Sequence, residues 1–171
     1  MKHLMQILDV KHLRGEEVLW EAKNLLNTFH LEGEEFILSA MFRTTNGVAV
    51  PSFYYLGMDN RTTVSPTDSM VAISTEPSGN GYSRQALSSA TGFEIETYTL
   101  GAASHWRARS QVVSFSASGG QWGPVSTVFL TDRLDKTGYL ISTAPLGTTR
   151  YVNTGESLTF RFILKLFDDT L

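Results

Sequence analysis

The sequence contains no cysteine, which excludes disulfides, thiolate nucleophiles and every cysteine-ligated metal site. Charge is sparse as well: Asp, Glu, Lys and Arg together make 18% of 171 residues, and the net charge is −3. There is thus no basic excess to neutralise phosphates, and no nucleic acid is expected as a partner. No run of about 18 apolar residues is present, so no membrane-spanning helix is expected. Lys2, Asp9, Lys11, Arg14, Glu16 and Glu17 interrupt the apolar stretch a signal peptide needs. Without such a leader, the acceptor pattern Asn60-Arg61-Thr62 reads as a chance match.

Catalytic motifs are missing too. His3, His12, His30 and His105 are scattered, with no pair at the one-turn spacing of a helical zinc site. His30, Glu32, Glu34 and Glu35 come nearest to a cation cluster, although acid at the start of a helix accounts for them. Gly79-Asn80-Gly81 lacks the third glycine and the following helix of a dinucleotide fingerprint. Ser83 has no flanking glycine to form a nucleophile elbow. The expectation is a protein without enzymatic activity, cofactor or metal.

What the chain has is turns and alternation. Glu76-Pro77-Ser78-Gly79-Asn80-Gly81-Tyr82 is its densest reversal signal, because Pro fixes φ while Gly and Asn tolerate positive φ. Before it, residues 1–14 read as an apolar arm that packs on its own domain or on a neighbour. Val18, Ala22, Leu25, Leu26 and Phe29 fall at helical spacings over 16–29. A second helix is expected around Phe36, Ile37, Ala40 and Met41, opened by Glu34 and Glu35 and closed at Asn46-Gly47; a strand is its rival.

From Pro51 the sequence turns β-rich. Strands are expected over 52–57, 82–87, 93–98, 111–117, 125–131, 139–142, 148–152 and 157–166, separated by Gly, Pro and Asn. In the last, Leu158, Phe160, Phe162, Leu164 and Leu166 share one face, so a slip of one residue would expose all five. The gaps are too short for parallel crossovers. The expected fold is mainly β: an antiparallel β-sandwich, jelly-roll or Ig-like, over 48–171, preceded over 1–47 by an arm and one or two helices.

His105-Trp106-Arg107-Ala108-Arg109 is the one local cluster that is both basic and aromatic. Trp106 reads as a partly buried edge residue, and Arg107 and Arg109 as surface or intersubunit groups. A carbohydrate-binding module is the alternative function, with Tyr54, Tyr55, Trp106 and Trp122 as candidate stacking residues; Trp122, beside Gly123-Pro124, reads better as packed at a strand start.

Three stretches together resemble a family of small tailed-bacteriophage structural proteins of the tail fibre or minor virion type. They are EPSGNGYSRQAL, FSASGGQWGPVSTVFLTD and GYLISTAPLGTTRYVNTGESLTFRFILKL. The resemblance rests on a Gly-Tyr-Ala-Arg type turn and a Trp-Gly-x-Val strand, with Ser83 here where alanine is common and Glu156 where aspartate is common. It implies a virion component without catalytic residues, decorating the capsid or forming part of the tail apparatus. Its partners would be other virion proteins and further copies of itself, a trimer among the options, with host glycan as a further ligand.

Overall fold

The computed structural model describes residues 5–42, 49–100 and 103–165. In chain order its elements are β1 (Met5–Arg14), β2 (Glu17–Leu26), β3 (Thr28–Phe29), α1 (Leu31–Phe42), β4 (Phe53–Asp59), a 3₁₀ turn (Met70–Ala72), β5 (Gln85–Ser88), β6 (Phe93–Leu100), β7 (Ala103–Ser110), β8 (Val113–Ser116), β9 (Trp122–Thr131), β10 (Leu140–Val152) and β11 (Glu156–Lys165). One sheet runs β2-β1-β11-β7-β6, with β8 also paired to β11; the other runs β3-β10-β9-β4-β5. Every pairing is antiparallel. The result is the expected mainly β, sandwich-like architecture.

The alternation of β11 carries through from Leu158 to Phe162, after which Ile163 is fully buried and Leu164 only half-buried. Leu158, Phe160 and Phe162 are buried against Val10, Phe115, Leu56, Met58 and Val128 in a core between the sheets. Leu166 lies outside the described residues. Strand β9 is buried on both faces, because Met70, Ile73 and Leu140 cover Phe129 from outside. Gly57, opposite Phe129 in the register, leaves room for that ring: a Cβ there would sit 2.2 Å from it.

The N-terminal region departs from the sequence reading. Residues 16–29 hold strands β2 and β3, not a helix, and β1 is an inner strand between β2 and β11 rather than a free arm. A turn at Gly15, with φ 58°, joins β1 to β2. Leu19, Trp20, Ala22 and Leu25 are the half-buried residues of β2, and Asn24 takes φ 53°. Pairing with β1 stays in register from Trp20 to Leu26, so the helical spacing is accidental to a paired strand. Residues 1–4 of the expected arm lie outside the described residues.

The chain has one helix among the described residues, α1, with Phe36 pointing into the core. It starts at Leu31, five residues before the expected stripe, and its expected stop at Asn46-Gly47 lies outside the described residues. Its seat is close: a Cβ on Gly33 would lie 2.5 Å from the Ile141 carbonyl oxygen of β10.

Candidate functional site

Helix α1 is apolar on two sides. Gly33, Phe36 and Ser39 are buried, yet Leu31, Leu38, Met41 and Phe42 stand 55% to 72% exposed. These four recur at helical spacing and form an outward stripe. Glu35, also exposed, lies in the same row between Leu31 and Leu38, so the stripe is apolar only over Leu38, Met41 and Phe42.

Beside α1 an apolar groove of about 240 Å³ opens at one mouth of the sandwich. Phe36, Ile37, Val50, Tyr54, Phe93 and Ile95 line it. Tyr54 lies edge-on to Phe36 and to Phe93, with ring centroids 6.0 and 5.8 Å away. Burial raises the Tyr54 hydroxyl above the usual tyrosine pKa, so it stays neutral. Val50 and Ile95 are mostly exposed at the rim.

The β6–β7 hairpin gives the groove one wall and divides its side chains between two faces. Phe93, Ile95 and Thr97 stand opposite Ser110, Ala108 and Trp106. This is the groove face, and Trp106 is 65% exposed on it. On the other face Glu94, Glu96 and Tyr98 stand opposite Arg109, Arg107 and His105. Arg107 Nε donates to Glu96 Oε1 at 2.8 Å and Arg109 Nη2 to Glu94 Oε2 at 2.7 Å, while Arg109 Nε lies 3.2 Å from Glu96 Oε1. The Glu94 carboxylate is the main cause that raises the Arg109 pKa further.

The candidate glycan or partner contacts Tyr54, Tyr55, Trp106, Arg107 and Arg109 are therefore not one cluster. Tyr54 lines the groove and Trp106 stands on the same face of β7 as the lining residue Ala108. Arg107 and Arg109 point to the opposite side, where glutamates occupy them. Tyr55, adjacent to Tyr54 in β4, lies on the other face of its sheet. Trp122 is buried and touches Tyr82, with centroids 5.4 Å apart, as the packed reading expected.

Residues that looked chemical in sequence have structural partners. Glu32 Oε2 accepts from Leu140 N at 2.8 Å and Met70 N at 3.3 Å, and His30 Nε2 lies 2.9 Å from Thr143 Oγ1. In the reversal at 76–85, Gly79, Asn80 and Gly81 all take positive φ, as the turn chemistry required. Arg84 then grips Glu76 through Nε and Nη2 and donates Nη1 to the Arg133 and Asp135 carbonyls.

Sequence reasoning did not single out Val50, Ile95, Leu38 or Phe42. One signal was available: the second half of α1, FILSAMF, carries more large apolar residues than one buried face needs. Strand β7 was also unforeseen, since its charged residues make sense only beside the glutamates of β6.

A family model described as podophage GP4 fiber I protein gp80 matches residues 30–163. No curated protein and no solved structure matches the chain.

Proposed function

Because the chain belongs to the podophage GP4 fiber I protein gp80 family, and is thus a structural component of the virion, we propose that it is a non-enzymatic part of the tail fibre apparatus. It attaches to other virion subunits through α1, the groove and the inner face of the β6–β7 hairpin. The observation that carries this reading is the exposure of large apolar side chains where solvent would select polar ones: Leu38, Met41 and Phe42 on the helix, Val50 and Ile95 at the groove, and Trp106 on the hairpin face beside it. Burying such residues contributes roughly 25 cal/mol per Å² of apolar surface. Subunit contacts give them that burial, and many copies in one particle add avidity.

Capsid decoration is the competing location. A tagged chain imaged in intact particles is expected at the tail; label spread over the head would overturn the assignment.

The exposed indole of Trp106 favours a second reading, recognition of host glycan by stacking. Against it, among the described residues Tyr54 and Ser89 alone bring polar side-chain atoms to the adjoining groove, and sugar hydroxyls need several polar partners. Glycan-array binding by the wild type, lost in Trp106→Ala, would support this reading; no binding by the wild type would remove it.

A further inference from the structure

We propose that a polar trough at the end of the sandwich remote from the apolar groove is a binding site for a neutral saccharide. The reading of the apolar end as the attached one leaves this trough uncovered, but the chemistry of the site does not depend on it.

Two clefts make the trough. The larger, about 390 Å³, is lined by Asn60, Thr75, Pro77, Ser78, Gln121 and Trp122, with Pro124 beside them, and its size suits a small molecule. The smaller, about 230 Å³, is lined by Thr62, Ser126, Thr148 and Thr149. They meet where Ser126 Oγ donates to Asn60 Oδ1 at 3.4 Å and lies 2.9 Å from Thr149 Oγ1. Tyr54 and Leu130 line the apolar groove, whereas Asn60 and Trp122 line the trough, so the two features lie at opposite ends of β4 and β9. The run of extended chain from Tyr54 to Asn60 separates them by about 20 Å.

The lining selects the ligand. Among the described residues Glu76 is the one ionisable group lining either cleft, and Arg84 and Tyr82 already hold its carboxylate. With no cation in the lining, a phosphate or carboxylate finds no counterion there. The trough offers instead amides and hydroxyls, which donate and accept, between the apolar rings of Pro77 and Pro124. A sugar presents the matching set, with hydroxyls around its rim and C–H groups on its faces. Trp122 supplies an independent sign. It is 3% exposed, and its indole N–H is buried without an acceptor among the described residues, whereas buried donors are nearly always paired. The walls are also braced in advance. Asn80 Nδ2 donates to the Gln121 carbonyl at 2.6 Å, Ser118 N to the Asn80 carbonyl at 2.9 Å, and Gln121 Nε2 to Asn153 Oδ1 at 3.0 Å. Such preorganisation lowers the cost of ordering loops on binding.

Nitrogen-15 NMR of the free full chain tests the site, with glucose, galactose, rhamnose and N-acetylglucosamine as probes and glucuronate as their charged comparison. At least one neutral sugar should shift the Trp122 indole and Gln121 amide signals and leave those of Trp20 and Trp106 in place. Glucuronate should bind more weakly than the best of them; tighter binding overturns the neutral class. Ser78→Ala combined with Gln121→Ala, at two exposed positions, should keep the fold and weaken binding at least about tenfold. No shift from any of the four sugars, or undiminished binding by the double variant, overturns the inference. Shifts centred on Trp106 overturn it too, in favour of stacking at the hairpin. Each of these outcomes is read without particles and leaves attachment through the apolar end standing. Binding by the free chain but not by intact particles would support the site and count against that attachment, since the trough would then be the covered end.

Discussion

His12 and Glu156 form a buried pair, Nε2 to Oε2 2.9 Å apart, that ties the first described strand to the last. Arg14 Nη2 donates to the other carboxylate oxygen at 2.7 Å, and the Asn153 backbone and side-chain amides each donate to Oε2 at 3.0 Å. Burial alone would raise the carboxyl pKa, but the Asn153, Arg14 and His12 hydrogen bonds outweigh it and hold Glu156 down to about 2.

That pair predicts an acid dependence with a defined sign. Glu156 is depressed in the folded chain and titrates near 4.5 when unfolded. Its contribution is complete above pH 4.5 and is lost as pH falls towards 2. Glu156→Gln, which removes the charge and leaves Arg14 without its counterion and His12 without its carboxylate partner, should cost about 3 kcal/mol in denaturant unfolding at neutral pH. Its stability should also be flatter than the wild type across that acid window.

His30 should act in a higher window. It is fully buried, and desolvation lowers its pKa to about 4 from 6.5. The unfolded chain therefore binds the proton first, so stability falls with falling pH from 6.5 to 4. His30→Gln should remove this part of the slope in urea titrations at a series of pH values. An unchanged slope would show that another group carries it.

Seating of α1 is testable through Gly33. A methyl group there meets the Ile141 carbonyl at 2.5 Å, so Gly33→Ala must lift the helix from β10. We expect a cost of about 2 kcal/mol, in the range of overpacking. Phe36→Ala, which empties a core position, should cost about 4 kcal/mol.

Exposed and buried aromatic residues should separate stability from assembly. Trp106→Ala and Phe42→Ser should change stability by about 0.5 kcal/mol or less, because both residues are largely exposed. Under the proposed function they should nevertheless reduce incorporation into particles, measured by complementation of a phage lacking the chain. Normal incorporation of the double variant would count against the surface.

Much of the sandwich was legible because its strands alternate. β11 and β8 show one buried face in plain sequence, and the reversal at 76–85 declares itself through residues that tolerate positive φ. Strand β2 was not legible, since pairing with β1 overrides a local spacing that happens to be helical. The site was legible only in part. Tyr54 and Trp106 were named, but their joint position beside the groove depends on α1, β4 and the hairpin converging from distant parts of the chain. Arg107 and Arg109 looked like binding groups because their partners, Glu96 and Glu94, are on the adjacent strand.

The most direct test is oxidative footprinting of Met41 and Trp106 in intact particles, compared with the free chain diluted until it is monomeric. These side chains are 63% and 65% exposed in the isolated fold and should react readily there. Strong protection of both is expected in the particle; equal reactivity in particle and free chain would show that this face is not a subunit contact.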